Sequence, residues 1–232
     1  MKYKIKSHIV YKDLIPNIKE TYPQIALDMK INNTFDEEML HTYLYQNKFC
    51  LVEYHCTRLT DFEINEIKAV GFSLGGKELL CKKVKKLPKE CDDIKNELLD
   101  YIGDLSYTQA DSSIYFSFGK LNFDVDKGYD KIFTQNWGGE TIYNYYDGHY
   151  KDKTEKEHMK YVKEKLQAVS KPCIILLRCP FGIGDVREYT YFYDGLKNEA
   201  IENIFGSMCI KNYIPKVIDV IDLNKYSGID FS

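Results

Sequence analysis

The chain has no apolar run approaching the roughly 20 residues that a membrane-spanning helix needs. Its first residues, MKYKIKSHIVYKDL, also lack an apolar core of signal-peptide length, so the expected location is the cytoplasm of a producing or target cell, with no membrane partner. No CxxC pair occurs. The seven cysteines are an odd number at irregular spacings, and no His/Cys set has zinc-ligand spacing, so reduced, mostly buried thiols and no metal are expected. GxGxxG is missing too, which removes the glycine-rich phosphate cradle of a dinucleotide-binding Rossmann unit. Formal net charge is −3, and the one locally basic stretch is Lys82–Lys89, too little for a duplex-binding footprint. No internal repeat or low-complexity segment is visible.

What remains is a chain of 232 residues, enough for one large domain, or a domain with an appendage, and a sizeable core. Residues 1–48 read as an N-terminal helical appendage and 49–232 as the main domain. Twenty tyrosines are many, and tyrosine suits both cores and planar ligands because it pairs a flat apolar face with a polar tip. Helix starts with capping-box spacing occur at Thr34/Glu37, Thr60/Glu63 and Thr154/Glu157. Apolar residues recur at helical spacing at Ile94, Leu98 and Ile102, and again at Met159, Val162, Leu166 and Val169. The second of these helices is expected to cover the outside of a sheet. Cys173–Cys179 is nearly continuous apolar sequence, as a strand buried on both faces would be, and Ile214–Leu223 is rich in β-branched residues. Asn198 can cap a short helix carrying Ile201, Ile204 and Phe205.

Three stretches concentrate chemistry. In the first, the apolar run Phe49–Tyr54 ends in His55-Cys56-Thr57-Arg58 and passes directly into the helix capped by Thr60, which stops at Gly71. An imidazole, a thiol, a hydroxyl and a guanidinium therefore meet at the mouth of a strand. A hydrogen-bonded structural histidine is the plain alternative. The second is Ser112–Gly119, a strand pattern with Tyr115, Phe116, Ser117 and Phe118. It is followed at a distance by Gln135-Asn136-Trp137-Gly138-Gly139-Glu140, where the only tryptophan, two glycines and a carboxylate come together, and by one or two helical turns over TIYNYY. Either packing or a ligand accounts for that cluster. In the third, Arg187–Tyr193, a strand pattern opens with Glu188. A cysteine hydrolase built on Cys56 and His55 is disfavoured, because neighbours on a strand point to opposite faces.

Taken together, the order strand-HxT-helix-Gly, strand with I-Y-F-S, then strand opening with E-Y resembles the ADP-ribosyltransferases of the histidine–tyrosine–glutamate type, the group containing diphtheria toxin and the poly-ADP-ribose polymerases. The resemblance covers roughly residues 49–223. It implies an α/β (α+β) fold with a split, mostly antiparallel sheet around an NAD cleft and surrounding helices. It also implies transfer of one ADP-ribose from NAD, without a metal, to a protein or nucleic-acid acceptor. The size suits a bacterial or phage toxin or defence effector, with an antitoxin or regulator as a further partner. His55 and Thr57 fall on the first motif, Tyr115 and Ser117 on the second, and Glu188 on the third. Cys56 stands where the family commonly has glycine, so its main chain would hold the nicotinamide amide while its side chain points away.

The resemblance assigns roles that suit these residue types. Glu188 would orient a ribose hydroxyl and stabilise positive charge on the sugar. Glu140 is the alternative acid, or a substrate contact. His55 would donate to a ribose hydroxyl on the adenosine side. Tyr115 would stack on one face of the nicotinamide, and Tyr143 or Tyr146 on the other. Arg58 either meets the pyrophosphate or pairs with Asp61. Two other activities share these residues: an NAD glycohydrolase passing ADP-ribose to water, and a catalytically silent module binding a nucleotide or partner protein.

Overall fold

The computed structural model describes residues 36–46, 50–73, 76–105, 113–119, 134–146, 152–180, 205–211 and 214–225. The chain is a mixed α/β protein. Its elements are α1 (Glu37–Gln46), β1 (Cys50–Leu59), α2 (Asp61–Val70), α3 (Lys77–Lys85), α4 (Asp92–Asp104), β2 (Ser113–Gly119), α5 (Gly139–Tyr146), α6 (Lys153–Ala168), β3 (Lys171–Pro180), β4 (Phe205–Lys211) and β5 (Lys216–Asp222). The strands form one sheet in the order β4-β2-β1-β3-β5, with every neighbouring pair antiparallel.

Alternation along the strands divides the sheet into two faces. Tyr54 and Cys56 of β1 share a face with Ile174 and Leu176 of β3, and Leu223 closes this cluster. Cys173, Ile175 and Leu177 are buried on the other face, so β3 is covered on both sides as its apolar run predicts. A second core is built from helices. Val84 and Leu87, Ile94, Leu98 and Ile102 of α4, Trp137, Ile142 of α5, and Val162 and Leu166 of α6 form it.

The stripe of α6 therefore faces the other helices, correcting the expectation that it covers the sheet. One helix start also differs from its predicted position. Asp152, not Thr154, caps α6, its carboxylate accepting from the Glu155 N–H at 2.9 Å. Asp36 Oδ1 accepts from the Met39 N–H at 3.0 Å ahead of α1, whereas Thr34 lies outside the described residues. Aspartate reaches these amides with a formal charge, which favours the positive end of the helix. Phe205, expected at the end of a helix, instead opens β4, pairing with Gly119 of β2. The helix proposed from Asn198 and the strand from Arg187 otherwise lie outside the described residues, as does the bulk of the segment 1–48.

Candidate functional site

The capping box at Thr60 and Glu63 forms as its spacing predicts. Thr60 Oγ1 accepts from the Glu63 N–H, and the Glu63 carboxylate accepts from the Thr60 N–H at 2.8 Å. The same carboxylate accepts from Trp137 Nε1 at 2.8 Å and pairs with Lys83 at 3.0 Å, although these partners come from distant parts of the chain. Glu63 thus ties the turn after β1 to the helical core. Burial by itself pushes this carboxyl's pKa up, but the Lys83 charge and the hydrogen bonds from Thr60, Trp137 and Lys83 outweigh it and hold the pKa below the usual 4.5.

The sign of the resulting pH dependence follows directly. A depressed folded pKa adds stability above the unfolded value and loses it as pH falls through the folded one. Thermal unfolding midpoints should therefore drop as pH is lowered below about 4.5, and Glu63→Gln should flatten this part of the profile. An unchanged slope in the variant would show that other carboxylates carry the acid sensitivity.

Of the two glycines beside Trp137, Gly138 has a packing role. Gly138 has φ +85°, and a Cβ built there would drive into the Ile142 side chain, so the chain closes tightly onto the first turn of α5. Gly138→Ala is expected to destabilise by about 1–3 kcal/mol, from the left-handed backbone plus overpacking, measured by urea unfolding. Trp137 is fully buried in the helical core. Packing, rather than ligand contact, accounts for this part of the cluster.

His55 is half-buried, and its ring meets that of Phe72 edge-on, with centroids 5.5 Å apart and planes at 71°. Phe72 follows the Gly71 stop of α2, so the turn that ends the helix returns an aromatic ring to the histidine. Sequence reading missed this contact; an aromatic directly after a glycine stop was its only visible sign. Cys56 is buried among Tyr54, Ile174, Leu176 and Leu223, on the face opposite His55. Its thiol is thus turned away from the imidazole, as the strand period requires. Thr57 is buried on the face of His55 and stands opposite Cys173, whose thiol burial pushes up to about 12.

β1 and β2 are neighbours with Tyr54 opposite Ser117. Seen from that pair, His55 is the next residue on β1 and Tyr115 is two residues away on β2, itself opposite Cys209 of β4. The first and second motifs are therefore brought onto adjacent strands. Two expected contributors are not. Arg58 donates from Nε to Ser170 Oγ at 3.1 Å, from Nη1 to the Thr134 carbonyl at 3.2 Å, and from Nη2 to the carbonyls of Gln167 and Ser170 at 3.0 and 2.8 Å. Buried and so committed, it joins β1 to the α6–β3 junction, correcting the pyrophosphate role, while Asp61, its other expected partner, is held by Lys171 at 2.5 Å.

Tyr143, one of the two tyrosines expected on the second face of the nicotinamide, is half-buried and packs against the helical core. Glu140 is the second residue of α5, but its side chain and that of Tyr146 lie outside the described residues, as does Glu188 entirely. Among the described residues no group of His, Cys, Asp and Glu could hold a metal, and no helix is long and apolar enough to cross a membrane. Comparison of the chain with known protein families, with curated proteins and with solved structures finds no match.

Proposed function

We propose that this chain is a mono-ADP-ribosyltransferase that moves ADP-ribose from NAD to a macromolecular acceptor. The observation that carries the reading is the adjacency of β1 and β2, which puts His55-Cys56-Thr57 and Tyr115-x-Ser117 on neighbouring strands around the pair Tyr54–Ser117. The burial of the Cys56 thiol away from His55 gives further support, because it leaves a family-like place for a residue larger than glycine. In this reading the sheet borders an NAD cleft. His55 donates to an adenosine ribose hydroxyl, the Cys56 main chain holds the carboxamide, and Thr57 lies on the His55 face of β1.

Tyr115, on the neighbouring strand, is the residue that the family pattern assigns to stack on the nicotinamide. Glu188 holds the nicotinamide ribose and stabilises the positive charge that grows as the glycosidic bond breaks. Glu140, at the start of α5, is the alternative acid. Incubating the protein with NAD labelled in its adenylate and with cell lysate tests the reaction. Label on protein or nucleic acid, lost in His55→Ala, is the expected result. Label found only as free ADP-ribose would make the protein an NAD glycohydrolase, and a folded protein that neither binds nor consumes NAD would reject both.

A further inference from the structure

Beside His55 lies a surface groove of about 390 Å³ between the C-terminal end of α2 and the start of β5, lined chiefly by Ile67, Val70, Phe72, Ile214, Val217 and Ile218. Two residues of its rim, Val70 and Ile214, are 76% and 55% exposed, the most exposed large apolar side chains among the described residues. Leaving two such open apolar side chains together on one rim suits a surface that is covered by something else. The groove is also charged in one sense. Lys68 and Lys216 line it and no carboxylate does, in a chain whose formal net charge is −3. A phosphate or carboxylate in isolation would ignore the apolar floor, and an uncharged helix would ignore the lysines.

β5 is the last strand in the sheet order, and among the described residues no strand pairs with its outer edge. An extended segment laid there can hydrogen-bond the edge and send alternate side chains into the groove. We infer that the groove between α2 and β5 docks an extended segment of a partner protein in which apolar residues alternate with carboxylates. Apolar side chains sit on Phe72, Val217 and Ile218, and the carboxylates meet Lys68 and Lys216. Because the Phe72 ring also packs edge-on against His55, the docked segment touches the neighbour of the residue proposed to contact NAD. Only that last link rests on the ADP-ribosyltransferase reading; the docking itself does not.

The test uses a fluorescein-labelled hexapeptide of alternating isoleucine and glutamate, with fluorescence anisotropy as readout and the full chain as receptor. Binding is expected, weakened at least about tenfold when glutamate is replaced by lysine in the peptide or when the protein carries Lys68→Glu and Lys216→Glu. Both lysines are exposed, so circular dichroism should find the variant folded. Equal binding of both peptides, undiminished binding by the variant, or no binding at all would overturn the inference. So would a glycine–glutamate peptide binding as well as the isoleucine one. Self-association abolished by Val70→Asp would reassign the groove to a second copy of the chain and overturn it too.

Saturating isoleucine–glutamate peptide should also shift the His55 ring signals in NMR, and binding without such a shift would break the link to the site. None of these readouts uses NAD. If the protein fails to consume NAD yet binds the peptide, the enzymatic reading falls and the docking stands; the reverse outcome removes only the docking.

Discussion

Glu188→Gln is expected to lower nicotinamide release from NAD by at least about 100-fold while leaving the thermal unfolding midpoint unchanged, because it removes a charge without changing volume. A glutamine still occupies the space and can still hydrogen-bond a ribose hydroxyl, but it cannot balance positive charge on the sugar as the bond to nicotinamide lengthens. The loss should therefore fall on kcat, with KM for NAD little altered, since the missing interaction strengthens only in the transition state. Release of nicotinamide measured by chromatography under saturating NAD checks this. Full activity in Glu188→Gln together with a dead Glu140→Gln would move the catalytic role to the start of α5.

Arg58→Ala should be the most destabilising alanine substitution in the first motif, costing about 3–5 kcal/mol, a large share of the 5–15 kcal/mol that holds a typical domain folded. The guanidinium satisfies the carbonyls of Thr134, Gln167 and Ser170 and the Ser170 hydroxyl. Removing it leaves those acceptors without this donor, a cost that each incurs separately. Lysine does not rescue the site, because one ammonium cannot reproduce the planar fork. Urea unfolding should report the loss. Were Arg58 instead a pyrophosphate ligand, Arg58→Ala would keep its stability and raise KM for NAD, so the two roles separate cleanly.

These two residues also mark how far the chain could be read before it was folded. The helix start at Thr60–Glu63 was legible because every atom of a capping box comes from four consecutive residues. The inward stripe of α4 was legible for the same reason: Ile94, Leu98 and Ile102 recur at the helical period, and all three are buried. β3 announced itself by a nearly continuous apolar run. β4 did not, because Gly206 and Ser207 interrupt the alternation of FGSMCIK and its pairing with β2 supplies what its own propensity lacks.

The first motif was readable as a cluster, but the use of its members was not. His55 and Cys56 could be assigned to opposite faces from the strand period alone. Whether Arg58 reached for a ligand, for Asp61 or for the core depended on where Ser170 and Thr134 come to lie, 112 and 76 residues further along. Similarly, Glu63 showed its capping role locally, while its bond to Trp137 spans 74 residues and left no local trace.

From its sequence by itself the chain determined the helix start at Thr60, the inward stripe of α4, the extended run of β3 and which neighbouring side chains part to opposite faces, since these follow from steric periods and hydrogen bonds within a few residues. Only the tertiary structure decided that β1 and β2 lie side by side, that Arg58 and Trp137 serve the core, and that Phe72 stands between His55 and an open groove. Those outcomes depend on long-range pairing, in which loop closure, packing and the burial of polar groups are settled together and no short stretch contains the answer.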